Sequence, residues 1–346
     1  MKKLKVGIAG YGVVGKRRHF YIDQHPKMKV VAVCDRVFKK EKPELSKNLD
    51  YYINYKKMLA GQKIDVLFVC LTNNIAAEVT IAGLSNGIHV FCEKPPGMTI
   101  KEIENVIQIE KSHPNLKLKY GFNHRYHDSV KKAIQIINSS DLGEVINIRG
   151  VYGKSMIVPF SHGWRSKRKL AGGGILLDQG IHMLDLMRLF CGDFVEIKSF
   201  VSNDFWKHDV EDNAYALMKD SKGRISMINS SATQWKHKFS LEISLTMGYI
   251  ELHGILSGSK SYGEEIIIIG KRDLNSSSGQ MQKTTIKFLN DNSWRDEISE
   301  FANCIIKDKS IRYGTSYDAL QCMKLVNEIY YQDINWRNKF KIKKSN

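Results

Sequence analysis

No apolar run in the 346-residue sequence approaches the roughly 20 residues that a membrane helix needs, so no spanning segment is expected. Cysteine is sparse and scattered: Cys34, Cys70, Cys92, Cys191, Cys304 and Cys322 include no C-x-x-C pair. That spacing suits neither a zinc site nor a disulfide framework, and it fits a reduced, cytoplasmic setting. Cys34, Cys70 and Cys92 each close an apolar run, where a thiol packs as a small hydrophobe. The first ten residues begin with lysines, but their apolar stretch is too short for a secretory leader, and Gly10, Gly12 and Gly15 interrupt the chain directly after it.

Negative charge is outnumbered, with 53 Lys and Arg against 36 Asp and Glu, a formal net charge of +17. The basic residues are spread along the chain, apart from Lys339, Lys341, Lys343 and Lys344. With no zinc-finger spacing, aromatic RNA-binding signature or isolated basic helix, nucleic acid is not an expected partner. Two readings remain, a solvated surface or an electropositive cleft for an anionic substrate. Charge alone does not choose between them. Hydrophobic residues at 42% and charged residues at 26% are ordinary globular usage, and the length has room for about two domains.

The first 125 residues alternate short β-branched runs with amphipathic stretches. Strands are expected at 5–9, 30–34, 66–70, 89–92 and 117–120, and helices at 13–24, 75–85 and 99–111, the last opened by a Thr99-x-x-Glu102 capping box. Continuous apolar strands separated by helices predict a parallel sheet covered on both faces. After about Gly143 the pattern changes to one helix over 176–190 and strands at 195–201, 213–218, 224–230, 239–245, 249–252, 265–269 and 284–288. Turns such as Lys222-Gly223 and Met247-Gly248 predict an antiparallel sheet, Asn275 to Gly279 a flexible loop, and 294–307 and 316–331 two closing helices. The expected architecture is an α/β Rossmann domain over 1–123, then an α+β domain over 124–346 with a large, mainly antiparallel open sheet. The final helix is left free to pack back on the first domain.

Gly10-Tyr11-Gly12-Val13-Val14-Gly15 is G-x-G-x-x-G set between an expected strand and helix. The first glycine permits a tight turn, the second lets backbone approach a pyrophosphate, and the third lets helix and strand pack closely. Asp35 ends the second strand twenty residues after Gly15, where a carboxylate would accept hydrogen bonds from an adenosine ribose. That carboxylate favours NAD, whereas Arg36 beside it keeps NADP as the alternative. Glu93-Lys94-Pro95-Pro96 follows the strand at 89–92, at the edge where open α/β sheets bind ligands. Lys94 there is either a solvated lysine or a group that stabilises a developing alkoxide.

Gly172-Gly173-Gly174 leads into a helix carrying Asp178, His182 and Asp185 at i, i+4 and i+7, so that they share one helical face. An imidazole flanked by carboxylates suits proton transfer near neutral pH. Metal binding ranks below that reading, because no second His or Cys cluster has ligand spacing, and no metal is expected. A capped helix with a satisfied structural histidine is the other alternative.

Together these stretches, with Gly121-Phe122-Asn123-x-Arg125 and Trp164-Arg165, resemble the Gfo/Idh/MocA family of oxidoreductases over nearly the whole chain. The resemblance implies hydride transfer between a nicotinamide and a carbon of a sugar, sugar nucleotide or cyclic polyol. It implies that Lys94 orients the reacting hydroxyl, His182 takes its proton, and Asp178 orients substrate or imidazole. It extends the cofactor set to Leu71, Asn73, Glu93, Lys94, Asn123 and Arg125, and gives Arg125, Trp164 and Arg165 to the substrate. Thr72 and Ala76 depart from the family's proline and histidine, which bears on cofactor contacts only. An exposed face of the second sheet would want covering, so a homodimer or homotetramer is expected. An NAD-retaining glycoside hydrolase and a non-catalytic nucleotide sensor are the competing functions.

Overall fold

The alternation of apolar runs and helices in the first third builds one parallel sheet. The computed structural model describes residues 3–40, 49–157, 163–257, 261–273 and 281–344. Its chain divides into two units, one of residues 1–123, 169–172 and 294–320, the other of 124–168, 173–293 and 321–346.

In the first unit the strands are β1 (Leu4–Ala9), β2 (Met28–Cys34), β3 (Asp50–Tyr52), β4 (Val66–Val69), β5 (His89–Cys92) and β6 (Leu118–Tyr120). They pair in the order β3-β2-β1-β4-β5-β6, all parallel. The connecting helices are α1 (Val13–Gln24), α2 (Tyr55–Gly61), α3 (Asn73–Ser85) and α4 (Ile100–Ser112). Both sides of β4 are buried, so its Val-Leu-Phe-Val run is continuous instead of alternating. Val6, Ile8, Val30, Phe68, Phe91 and Phe301 share the core, with Phe68 and Phe91 stacked 4.7 Å apart. The expected capping box of α4 is present: Thr99 Oγ1 accepts from the Glu102 amide, and the Glu102 carboxylate accepts from the Thr99 amide. The strand β3 and helix α2 were not expected; three residues of strand and seven of helix are too short for a periodic signal.

In the second unit, α5 (Asp128–Ser139) precedes β7 (Val145–Ser155), and α6 (Arg168–Ala171) is a single turn that runs across the division between the units. Then come α7 (Ile181–Cys191), β8 (Phe194–Ser202), β9 (Asn213–Asp220), β10 (Ile225–Gln234), β11 (Lys238–Leu245), β12 (Gly248–His253), β13 (Glu265–Arg272) and β14 (Met281–Phe288). The eight strands lie in the order β14-β13-β12-β11-β7-β10-β9-β8. Every neighbouring pair is antiparallel except β7 with β10. The mainly antiparallel sheet is therefore as expected, with a central strand, β7, that the sequence pattern did not reveal. Three helices close the chain: α8 (Ser293–Ile306), α9 (Ser316–Gln332) and α10 (Ile334–Phe340), where two were expected. The expected loop at Asn275–Gly279 lies outside the described residues.

The single helix expected over 176–190 is corrected. Leu176–Gly180 forms a π-helical turn, and regular α-helix runs only from Ile181. Nearly every residue of α7 is buried, in keeping with its apolar character all round. No helix among the described residues is long and apolar enough to cross a membrane.

Candidate active site

The carboxyl ends of the parallel strands of the first unit form one edge, and the sequence-predicted residues of that unit lie along it. Gly10 to Gly15 follows β1, Asp35 and Arg36 follow β2, Leu71 and Asn73 follow β4, Glu93 and Lys94 follow β5, and Asn123 follows β6. The chain order reverses between β1 and β4, the position where open α/β sheets bind ligands.

Each fingerprint glycine has its own reason. Gly10 adopts φ +92°, and a Cβ on it would stand 2.2 Å from the Cys70 carbonyl oxygen. A Cβ on Gly15 would stand 2.0 Å from the Gly10 oxygen. A Cβ on Gly12, by contrast, would meet nothing within 4 Å, so its bareness serves no internal packing. Gly12 is the N-cap of α1, which has no side-chain cap and no acidic residue in its first turn. That leaves the positive end of the helix to an outside anion, such as a dinucleotide pyrophosphate.

Asp35 is fixed by its surroundings. Its Oδ2 accepts from the Tyr11 amide at 2.7 Å, and its Oδ1 accepts from the Val37 amide at 3.0 Å. Each carboxylate oxygen can accept again, so ribose hydroxyls fit beside these bonds. Arg36 is exposed and opens a 3₁₀ turn, Arg36–Lys39. The Tyr11 hydroxyl lies 2.6 Å from His19 Nδ1. Val13 is exposed and Val14 partly so, whereas Asn73 is buried and donates from Nδ2 to the Ala171 oxygen at 2.7 Å. The donors and shape present therefore fit a nicotinamide dinucleotide.

The segment carrying Lys94 is held by a buried ion cluster that sequence reasoning missed. Arg18, on α1 and fully buried, donates from Nε to Glu93 at 2.6 Å and from Nη2 to Glu297 at 2.7 Å. Its guanidinium lies over the rings of Phe91 and Trp294, 4.4 and 4.3 Å from their centroids. Burial alone would lower the Arg18 pKa; Glu93 and Glu297 reverse the shift and raise it. Burial likewise raises the Glu297 carboxyl, with Arg18 opposing. The peptide between Lys94 and Pro95 is cis.

In the second unit Asp178 and His182 sit in a polar cluster. Lys154 Nζ is 3.4 Å from Asp178 Oδ2, and Arg165 Nε is 3.4 Å from Oδ1. Arg165 lies over the Trp164 ring at 4.4 Å. His182 is buried and stacks on His124, their centroids 3.8 Å apart. His124 Nε2 lies 3.1 Å from the Tyr152 hydroxyl, and the Tyr262 hydroxyl donates to Gln179 at 2.8 Å. Burial, with Tyr262 and Asp178 adding to it, pushes the Tyr152 phenol well up; burial raises Tyr262 too, so both are neutral at physiological pH. His124, Tyr152 and Tyr262 come from separate segments, and no local pattern joins them.

Two members of the expected set are engaged elsewhere. Arg125, read as a cofactor and substrate contact, closes a buried bidentate pair with Asp185: Nε to Oδ2 at 2.7 Å and Nη2 to Oδ1 at 2.5 Å. Asp185, read as a flank of the imidazole, is thus the partner of a guanidinium. The triglycine also has an internal explanation. Buried Glu211 accepts from the Gly174 amide at 2.7 Å, the Leu176 amide at 3.0 Å and the Tyr330 hydroxyl at 2.6 Å. A Cβ on Gly174 would stand 2.0 Å from the Glu211 oxygen.

Comparison with known proteins gives the lineage of the chain. Residues 4–122 match the oxidoreductase family with an NAD-binding Rossmann fold, and residues 130–251 match the GFO/IDH/MocA C-terminal domain. The D-glucoside 3-dehydrogenase of Escherichia coli is 29% identical over 66% of this chain and 70% of its own length. The inositol 2-dehydrogenase of Salmonella typhimurium is 29% identical over 45% of this chain, and the match spans only 48% of that enzyme. The crystal structure of myo-inositol 2-dehydrogenase from Lactobacillus plantarum superimposes with a TM-score of 0.78 at 25% identity, covering 96% of this chain and 97% of that one. Both halves of the chain carry the marks of one lineage, and the protein belongs to the Gfo/Idh/MocA family of NAD-binding oxidoreductases.

Proposed function

We propose that the protein is an NAD(P)-dependent dehydrogenase or reductase that acts on a secondary alcohol or ketone carbon of a sugar, sugar nucleotide or cyclic polyol. The observation that carries the reading is the bare Gly12 at the uncapped start of α1, beside the fixed carboxylate of Asp35. The activities named for the relatives, on D-glucosides and inositol, support the substrate class.

NAD, when bound, supplies the hydride acceptor at its nicotinamide ring. Gly10 to Gly15 holds the pyrophosphate through backbone amides, and Asp35 takes the adenosine ribose, which favours NAD over NADP. Leu71, Asn73, Glu93 and Asn123 complete the cofactor side, with Glu93 acting by holding the strand end through Arg18. Lys94 donates to the reacting hydroxyl and stabilises charge developing on its oxygen. His182 takes the hydroxyl proton, and Asp178 orients substrate or imidazole. Arg125 acts through Asp185, while Trp164 and Arg165 face the substrate.

The test is a screen of methyl glucosides, inositols and UDP-sugars with NAD and NADP, read by nicotinamide absorbance at 340 nm. Net NADH formation with one of them is expected. Failure of every pair would overturn the assignment, and release of free sugar without net NADH would indicate a cofactor-retaining hydrolase.

Two further readings accompany it. Phe200, 79% exposed, and Tyr215 pair across β8 and β9, beside exposed Leu217. An apolar sheet face of this kind favours cover by a second copy, hence a dimer or tetramer; a monomeric mass by light scattering would refute it. All six cysteines are free, which supports a reducing, cytoplasmic compartment.

A further inference from the structure

Asp178 draws cations from two separate segments of the second unit. Lys154 and Arg165 both stand 3.4 Å from it, two cations on one anion. Neither contact is tight. In the same unit the Arg125–Asp185 pair closes to 2.5 Å in bidentate geometry, showing what a committed ion pair looks like here. Arg165 engages Asp178 through Nε alone, and neither of its Nη groups has a partner among the described residues. Its side chain is 42% exposed, and its guanidinium carbon lies over the Trp164 ring.

The neighbouring groups His237, Tyr152 and Tyr262 carry no charge at physiological pH. Burial and Lys154 both push His237 down, so it is neutral at physiological pH. The ring of His237 stands edge-on to Tyr262, 4.9 Å away, and Tyr262 and Tyr152 both stay protonated. The cluster thus offers neutral donors and acceptors suited to sugar hydroxyls, with a planar guanidinium and an ammonium beside them. A guanidinium edge matches the geometry of carboxylate and phosphate oxygens, and an ammonium adds a point charge.

We propose that Arg165 and Lys154 form an anion subsite, so that the substrate is a sugar carrying a carboxylate or phosphate group close to its reacting ring. Asp178 keeps the two cations apart and accepts from a sugar hydroxyl. The inference rests on the reading of Asp178 and His182 as the reaction site.

The experiment is calorimetric titration of the full-length protein, saturated with NADH, with three probes. Methyl β-D-glucopyranoside is neutral, methyl β-D-glucuronide carries a carboxylate, and UDP-glucose carries a diphosphate. At least one anionic probe is expected to bind about tenfold tighter than the neutral one, the scale of one charge-assisted contact. The glucuronide and UDP-glucose arms tell a carboxylate ligand from a phosphate ligand. High salt should erase the advantage, because the subsite is partly open to solvent. Arg165→Gln and Lys154→Gln should each reduce it, with circular dichroism confirming that the variants fold. Equal binding of all three probes, binding of none, or an anion preference that survives both substitutions would overturn the subsite. NADH formation from the neutral glycoside with no anion advantage sinks this inference and leaves the dehydrogenase assignment standing. A salt-sensitive anion preference with no nicotinamide turnover on any probe does the reverse.

Discussion

The imidazoles of His124 and His182 lie face to face, with centroids 3.8 Å apart and planes inclined by 14°. The plane of the proposed base is therefore set by a neighbour that is itself tied to the Tyr152 hydroxyl. Replacing His124 by Ala removes that support. We expect kcat to fall by roughly 10- to 100-fold, the scale of a small misplacement of a reacting group. The Kd for NADH should not change, and His124→Phe, which restores a flat ring, should recover most of the loss. Steady-state kinetics with a fluorescence titration of NADH checks both; an unchanged kcat in the Ala variant contradicts a positioning role.

Much of this molecule was legible in its sequence, and the failures have physical causes. The parallel sheet was readable because β1, β2, β4 and β5 are buried apolar runs with helices between them. The strand β7 was missed: it lies at the centre of the second sheet, contains Gly150 and Gly153, and pairs in parallel with β10, so no hairpin turn announces it. Asp178, His182 and Asp185 were placed on one face by assuming regular helix, but the π-helical turn at Leu176–Gly180 changes the spacing within it. Pairings across long separations, such as Arg18 with Glu297 or Arg125 with Asp185, leave no local pattern at all.

Two of the fingerprint glycines, Gly15 and Gly12, should separate stability from binding. Gly15→Ala puts a Cβ against a backbone oxygen and is expected to destabilise by about 1–3 kcal/mol, the usual cost of overpacking. Gly12→Ala meets open space and should leave the melting temperature unchanged. The same substitution should weaken NAD binding by about tenfold or more, which is a loss of about 1.4 kcal/mol. Thermal melts and NADH titration of the two variants check the contrast.

Arg18 holds two carboxylates in the interior of the first unit. Arg18→Met leaves Glu93 and Glu297 facing one another without their cation. The expected cost is about 3–5 kcal/mol, typical of breaking a buried ion pair from one side. Urea unfolding of the variant beside the parent protein measures it.

In the second unit, Glu265 is buried against His127 and the Ser129 amide. Burial acts to raise its pKa, but the His127 hydrogen bond and charge and the Ser129 amide outweigh burial and lower it from 4.5. A depressed carboxylate contributes stability above its unfolded pKa and loses it as pH falls through the folded value. The stability advantage of the parent over Glu265→Gln should thus be full at neutral pH and shrink below pH 4.5. Denaturant midpoints of both proteins across pH 3 to 7, in roughly half-unit steps, give the curve.

The most direct test of the proposed chemistry is a double-mutant cycle on Lys94→Ala and His182→Ala, with kcat read at 340 nm on the substrate that the screen identifies. Groups that act as one unit on one hydroxyl lose their effect together, so the double variant should be little slower than the slower single variant. Losses that multiply, or single variants that turn over at the parent rate, would contradict a shared role in hydride transfer.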